Sequence, residues 1–191
     1  MSITLTYPIL HQIAPQCRVA ASLVDPLNKY LPQYGITSLL RLTHFLAQIA
    51  TESDGFQTMK EYASGREYEN RRDLGNIHPG DGVRYKGRGV IQITGRANYA
   101  EYGKLLGVDL INNPELAETP ELAVQIACLY WKTHNLNALA DDDDIEAITR
   151  KVNGGLNGIK DRTTYANRAD AILSAFYPKD EVGRVADNKG L

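Results

Sequence analysis

Glu52 is the residue whose position most strongly suggests chemistry. It follows Phe45 by seven residues and Ile49 by three, so on a helix it shares their apolar face. Ser53-Asp54-Gly55 comes directly after it and predicts the helix end. Apolar surroundings and the negative end of the helix dipole both disfavour a charged carboxylate, which suits a general acid. The alternative is an exposed glutamate at a frayed helix end.

A second carboxylate follows at Glu61, with Glu67 and Glu69 as rivals. Inverting cleavage of a glycosidic bond needs one carboxylic acid to protonate the leaving oxygen and one carboxylate to activate water from the opposite face. A glutamate on a loop across a cleft from Glu52 would serve as the second group. Position alone does not choose among the three.

The segment from Tyr85 to Tyr99 is the most unusual stretch of the chain. Glycines on either side of Arg88 allow the backbone to approach a ligand closely. Gln92 and Thr94 share one face if the stretch is extended, and their amide and hydroxyl groups suit sugar hydroxyls and a positioned water. A two-stranded hairpin with a polar outer side would give the same pattern. Neither a P-loop nor a GxGxxG motif is present.

Metal and redox chemistry have little support in the sequence. The four histidines are scattered, with no HExxH or close pair, so we expect no catalytic metal and no cofactor. Cys17 and Cys128 lie far apart without a CxxC spacing, which predicts two buried free thiols. The run Asp141–Asp144 lacks the spacing of an EF-hand and is typical of an acidic helix N-terminus.

Charge is unevenly distributed along the chain. The net charge of −2 argues against a general nucleic-acid binder. Residues 60–104 nevertheless carry nine basic and six acidic side chains, and the remainder is acidic. Such a segment suits an anionic ligand, but a solvated loop of mixed charge would look similar.

Hydrophobic spacing predicts a mostly α fold with helical ends and an irregular, glycine-rich middle from Asp54 to Gly95. An irregular segment of this length is usually functional, and it has room for at most a short hairpin around Val90–Ile93. Helices are predicted over 38–53, over 96–106, from Thr119-Pro120-Glu121 onward, after Asp144 as far as Gly154, and from about Asp161 to Phe176.

The length of 191 residues, with 43% hydrophobic and 23% charged residues, fits a single domain over 1–191. We expect a core at about 35–176 and a flexible tail over 178–191. No apolar run is long enough to span a bilayer, so we expect no stable membrane insertion. The N-terminus has no basic leader ahead of a long apolar run, so we expect synthesis into the cytosol without a signal peptide.

Five short segments of the sequence together resemble family 19 glycoside hydrolases. The resemblance is strongest to the phage and prophage endolysins of that family, which are related to plant chitinases. The resemblance covers roughly residues 35 to 175 and implies an α-rich, lysozyme-like fold of two lobes around a central cleft. It is carried by five blocks in the family's order: Phe45–Ser53, Glu61–Ser64, Tyr85–Tyr99, Val152–Gly155, and Asp161-Arg162 with Arg168.

The resemblance also implies roles for individual residues. It makes Glu52 the general acid, Glu61 the base that activates water, and Thr94 the hydroxyl that helps to hold that water. A family arginine that interacts with the second glutamate corresponds to Arg168, which spacing on the last helix places inward. The amides implied to bind substrate are Gln92, Asn98 and Asn153.

These features predict an endolysin that hydrolyses β-1,4 bonds of peptidoglycan glycan strands with inversion. The alternatives are a chitinase acting on N-acetylglucosamine polymers, a lytic transglycosylase, and a non-catalytic wall-binding module. The cationic segment favours peptidoglycan, whose peptide stems carry carboxylates. We expect a monomer that stays in the host cytoplasm until a holin opens the membrane, and then acts in the periplasm on the cell wall.

Overall fold

In the computed structural model of the protein, residues 3–177 are described, and they form nine α-helices and several short 3-10 turns. The expected tail over 178–191 lies outside the described residues. The helices are α1 (Tyr7–Ile13), α2 (Ala20–Tyr30), α3 (Leu39–Glu52), α4 (Asp81–Arg84), α5 (Arg96–Leu106), α6 (Pro120–Thr133), α7 (Leu136–Asp141), α8 (Ile145–Asn153) and α9 (Ile159–Leu173).

Helix α3 is the centre of the fold. It begins at a Ser38 cap, whose hydroxyl accepts a hydrogen bond from the Arg41 amide, and every residue from Leu42 to Ala50 is buried. The helix packs against α9, and Phe45 meets Trp131 of α6 edge to face at 5.3 Å between ring centroids. Because α3 is enclosed over this stretch, only its first and last turns reach a surface. The helix predicted over 38–53 is confirmed.

The predicted α5, α6 and α8 are also confirmed, and Asp144 caps α8 by accepting a hydrogen bond from the Ala147 amide at 2.8 Å. The last helix begins at Ile159, two residues before the predicted start, and ends at Leu173. Helix α7 was not predicted, because six residues between two turns give too short a hydrophobic pattern. Helix α2 carries Pro26 in its interior, a residue that argues against a helix from sequence.

Residues 54–95, here called the excursion, are irregular as predicted. They contain 3-10 turns at Arg66–Tyr68 and Arg72–Leu74, and the short helix α4. The expected hairpin around Val90–Ile93 is reduced to isolated antiparallel bridges, Lys60 with Arg88 and Arg88 with Ile93. Gln92 has a φ of 54°, so the chain turns there instead of continuing as a strand.

Three further expectations concern cysteines, metals and membranes. Both cysteines are free; Cys128 is buried, whereas Cys17 is partly exposed, so the prediction of two buried thiols is wrong for Cys17. Within residues 3–177, no group of three or more His, Cys, Asp or Glu side chains is arranged to hold a metal ion. In the same range, no helix combines the length and the apolar character that a bilayer crossing requires.

Asp81 holds the excursion together from within. Its carboxylate accepts hydrogen bonds from the Ile77 and His78 amides, and from Nε and Nη2 of Arg96 at 2.9 and 2.7 Å. The hydrogen bonds from Arg96 are the main reason that the pKa of Asp81 falls from 3.8 to about 2, although burial opposes the shift. A buried carboxylate with this many donors fixes the loop without any sheet.

Replacing Asp81 should therefore change how stability depends on pH. Because its folded pKa is depressed, its contribution is present above pH ~4 and is lost as the pH falls toward ~2. As the pH falls from ~4 to ~2, the free energy of unfolding in urea should decrease by roughly 2 kcal/mol more for the wild type than for Asp81→Asn. Asp73→Asn, which removes an exposed partner of Arg71, is the control and should resemble the wild type. Identical pH profiles for wild type and Asp81→Asn would contradict this role.

Candidate active site

A cavity of about 550 Å³ lies between the last turn of α3 and the excursion. Polar side chains dominate its walls, as expected for a site that binds a hydroxyl-rich ligand. The lining residues are Thr51, Glu52, Asp54, Thr58, Lys60, Glu61, Tyr62, Tyr68, Gly87, Gln92, Thr94, Val152 and Asn153. Both glutamates singled out from the sequence therefore face the same space.

Glu52 is held from behind by a buried arginine. Nη2 of Arg162 donates to Glu52 Oε1, and Nη1 of the same guanidinium donates to Gln48 Oε1. Arg162 is 1% exposed, while the side chain of Glu52 is 17% exposed. Because the hydrogen bond from Arg162 uses Oε1, the second carboxylate oxygen is left for contacts in the cavity.

Glu61 is held by an entirely different set of donors. The Tyr68 hydroxyl donates to Oε1 at 2.8 Å, and the Gly87 amide donates to Oε2 at 2.9 Å. Burial, helped by the hydrogen bond to Glu61, raises the pKa of Tyr68 to about 12, so the phenol stays protonated and remains a donor. Both contacts require Glu61 to act as an acceptor, which suits an ionised carboxylate and a base.

Gly87 leaves room for the side chains of Gln92 and Glu61. A Cβ atom added there would lie 2.6 Å from Gln92 Oε1 and 3.1 Å from Glu61 Oε2. The sequence indicated that glycines beside Arg88 allow close backbone approach to a ligand. In the structure, the group that Gly87 approaches is Glu61 itself.

Gln92 and Thr94 both line the cavity, but not because they share one face of a strand. The positive φ of Gln92 turns the chain, and its amide donates to the Gly89 carbonyl at 2.7 Å. The Thr94 hydroxyl donates to the Gln92 carbonyl at 3.1 Å, so its oxygen lone pairs are available to a water. This placement is compatible with the role that the resemblance implies for Thr94.

The two asparagines implied to bind substrate are placed differently. Asn153, at the end of α8, is exposed and lines the cavity. Asn98 is not among the lining residues; its side-chain amide donates to the Thr94 carbonyl at 2.7 Å. Asn98 therefore supports the wall that carries Thr94 and does not project into the cavity.

The pairing expected for Arg168 is wrong. Arg168 is exposed, and Nη1 donates to the Ile13 carbonyl at 3.3 Å. It lies six positions after Arg162, so the two side chains are on different faces of α9. The inward stripe of α9 consists of Arg162, Tyr165, Ala166, Ala169 and Leu173. The signal for Arg162 was thus present in the helical spacing, and its partner is the first glutamate, not the second.

Neither rival glutamate competes with Glu61. Glu67 is exposed on a 3-10 turn and does not line the cavity. Glu69 accepts hydrogen bonds from the Gly80 and Gly82 amides at 2.7 and 2.9 Å, which fixes the turn at Arg66–Tyr68 to the start of α4. Sequence reasoning also missed three lining residues with no distinctive pattern of their own, Asp54, Tyr62 and Tyr68.

Most basic residues of segment 60–104 lie outside the cavity lining. Within the cavity lining, Lys60 faces three acids, Glu52, Asp54 and Glu61. The cavity thus receives a single lysine from the cationic segment, and the expectation that this segment favours an anionic ligand stays a prediction. Several of its other cations have partners elsewhere in the fold: Arg71 with Asp73, Arg88 with Glu118, Arg96 with Asp81, and Lys86 and Arg84 with backbone carbonyls.

Comparison with known proteins decides the family. Residues 41–168 match the family described as class I chitinases of glycoside hydrolase family 19. The chain belongs to glycoside hydrolase family 19. It is therefore a glycoside hydrolase of the chitinase-like kind.

This family 19 chain has relatives of two kinds. A glycosyl hydrolase family 19 domain-containing protein of Haemophilus influenzae is 34% identical over 167 residues, covering 71% of this chain and 82% of the relative. An endochitinase of Arabidopsis thaliana is 36% identical over 122 residues, covering 63% of this chain and 41% of that protein. The chain thus spans most of the bacterial relative and about two fifths of the plant enzyme.

Two solved chitinase structures share the fold of this family 19 chain. Chitinase C from Streptomyces griseus superposes with a TM-score of 0.75 at 24% identity, covering 91% of this chain and 94% of that chain. A second bacterial family 19 chitinase gives 0.72 at 21% identity, covering 89% and 95%. The predicted mostly α, lysozyme-like architecture is confirmed.

Two arginines on α9 provide a matched test of the pairing. Arg162→Ala should cost ~3–5 kcal/mol of unfolding free energy and most of the activity, because it leaves buried polar groups unpaired. Arg168→Ala should stay within ~0.5 kcal/mol of wild type, since it removes one exposed contact. Chemical denaturation and glycan hydrolysis measure both effects. Damage confined to Arg168→Ala would contradict the assignment.

Proposed function

We propose that this family 19 protein is an endolysin that hydrolyses β-1,4-glycosidic bonds of peptidoglycan by an inverting mechanism. The observation that carries the proposal is the placement of Glu52 and Glu61, which line one cavity while each is held by its own partners. Two carboxylates with separate supports suit two separate roles.

In the proposed mechanism, Glu52 is the general acid. Arg162 fixes one oxygen, and the proton on the other is transferred to the glycosidic oxygen as the bond to the sugar breaks. Because Glu52 ends a helix packed on several sides, its carboxylate keeps one orientation toward the cleft.

Glu61 is the base. Its carboxylate takes a proton from a water molecule that attacks the anomeric carbon on the face opposite the leaving group. The Thr94 hydroxyl helps to hold that water, and Gln92 and Asn153 line the same cavity for contacts with sugar hydroxyl and amide groups. The Tyr68 and Gly87 donors keep the carboxylate aimed at this position.

The form of the cleft supports peptidoglycan as the substrate. Its rim residues Asp54, Lys60, Tyr62 and Asn153 are all exposed, so a sugar chain with bulky peptide branches can lie across it. As an endolysin, the protein would act as a monomer, remain in the host cytoplasm until a holin opened the membrane, and then reach the periplasm and cell wall.

Chitin is the second candidate, and one observation favours it. Three acids and one lysine line the cavity, which disfavours anionic stems close to the reacting bond and favours a neutral polymer. Endochitinase is also the name of the Arabidopsis relative. Both polymers contain N-acetylglucosamine in β-1,4 linkage, so the two candidates share one mechanism.

Hydrolysis of purified peptidoglycan and of chitin oligomers tests the proposal. Wild type should release fragments with free reducing ends, faster from peptidoglycan. Glu52→Gln should be at least ~100-fold slower, because it removes the transferable proton, and should still fold, because the amide oxygen can accept the hydrogen bond from Arg162. Glu67→Gln, an exposed glutamate outside the cavity, is the matched control and should behave as wild type.

Mass spectrometry of the products separates the alternatives. Anhydro sugars would identify a lytic transglycosylase, and binding without cleavage a wall-binding module. Faster turnover of chitin would reject the endolysin role and keep the two glutamates in place.

A further inference from the structure

Tyr62 is an exposed aromatic residue in an unusual place. Its relative exposure of 75% is the highest of the large hydrophobic residues that are exposed within 3–177. The residue lines the same cavity as Glu52 and directly follows Glu61 in the chain. Leaving a large ring in water has a free-energy cost that a ligand covering its face would relieve.

The ring of Tyr62 is also held in a defined position. Its hydroxyl donates to Asp54 Oδ2 at 3.0 Å. The same Asp54 carboxylate accepts a hydrogen bond from Gln57 Nε2, also at 3.0 Å. Asp54 lies two residues after the end of α3 and has a φ of 53°, so it links the rigid helix to the excursion. A ring fixed before binding loses little conformational entropy when a ligand covers it.

We propose that Tyr62 is a stacking platform for the pyranose ring of a sugar unit beside the scissile bond. This inference rests on the proposed glycosidase function and adds a binding subsite to it. β-1,4-linked sugars of the gluco configuration carry axial C–H groups on both ring faces, and these apolar faces pack against aromatic rings. Adjacent Cα atoms lie about 3.8 Å apart, so the sugar that covers Tyr62 is close to Glu61.

The subsite would accept units of both candidate polymers. Stacking recognises the face of the sugar ring and not a particular substituent, so it serves N-acetylglucosamine units of chitin and of peptidoglycan alike. Contacts of this kind are formed in the bound ground state as well as in the transition state. Loss of the ring should therefore appear mainly in KM, with little change in kcat.

Binding measured in a Glu52→Gln background tests the inference without turnover. Calorimetric titration with chitin hexasaccharide and with a soluble peptidoglycan glycan fragment should give about tenfold weaker binding for Tyr62→Ala. Tyr62→Phe keeps the ring and loses only the bond to Asp54, so its affinity should stay within about threefold of the parent protein. Tyr7→Ala removes another exposed tyrosine, outside the cavity, and should leave the affinity unchanged.

Two outcomes separate this inference from the proposed function. If Tyr62→Ala binds either glycan as tightly as the parent, or if Tyr62→Phe is as weak as Tyr62→Ala, stacking by the ring is overturned while the glycosidase proposal stands. If the parent binds neither glycan and wild type cleaves neither, the proposed function fails and the subsite fails with it. In the active enzyme, Tyr62→Ala should raise KM by about tenfold and keep kcat within about threefold of wild type.

Discussion

A guanidinium with 1% exposure must be paired, and the pairing of Arg162 organises both the fold and the site. Its two partners, Gln48 and Glu52, lie one helical turn apart on α3. The contact therefore fixes the rotation of α3 relative to α9 and, at the same time, the direction of the Glu52 carboxylate. Packing of Phe45 on Trp131 secures α3 two turns before Glu52. The core of the protein thus positions the carboxylate that is proposed as the acid.

The opposite wall of the cleft depends on a different principle. The excursion has almost no regular structure, and polar side chains take over the role of a sheet there. Asp81 and Glu69 accept hydrogen bonds from backbone amides, and Arg88 donates to a backbone carbonyl. These charged groups therefore have their partners within the fold. Although the segment is rich in lysine and arginine, the only basic residue that it contributes to the cavity lining is Lys60, beside three acids. Glu61, the proposed base, is held there by the Gly87 amide and the Tyr68 phenol.

Much of the helical framework could be predicted from the sequence, because periodicity and capping residues are local signals. The position of Glu52 followed from the same logic, since Ser53-Asp54-Gly55 ends α3 as expected. The choice of Glu61 over Glu67 and Glu69 did not follow from position. It depends on which carboxylate the excursion turns inward, and long-range contacts decide that.

The error at Arg168 has an equally physical cause. Placing it between Tyr165 and Ile172 used residues that are not both buried, and the stripe defined by Ala166, Ala169 and Leu173 selects Arg162. Likewise, Gln92 and Thr94 reach the cavity through a left-handed turn that alternation in the sequence does not reveal. The residues were identifiable in both cases, but their geometry depended on backbone conformations set by distant parts of the chain.

The central claim is that Glu52 and Glu61 act from opposite faces of the sugar, with one water between them. Proton NMR of freshly formed products from a β-1,4-linked N-acetylglucosamine oligomer tests this claim most directly, because it identifies the first anomer before mutarotation. The account predicts that the α-anomer appears first and the β-anomer accumulates later. Initial formation of the β-anomer would show retention of configuration and would contradict the roles assigned to the two glutamates.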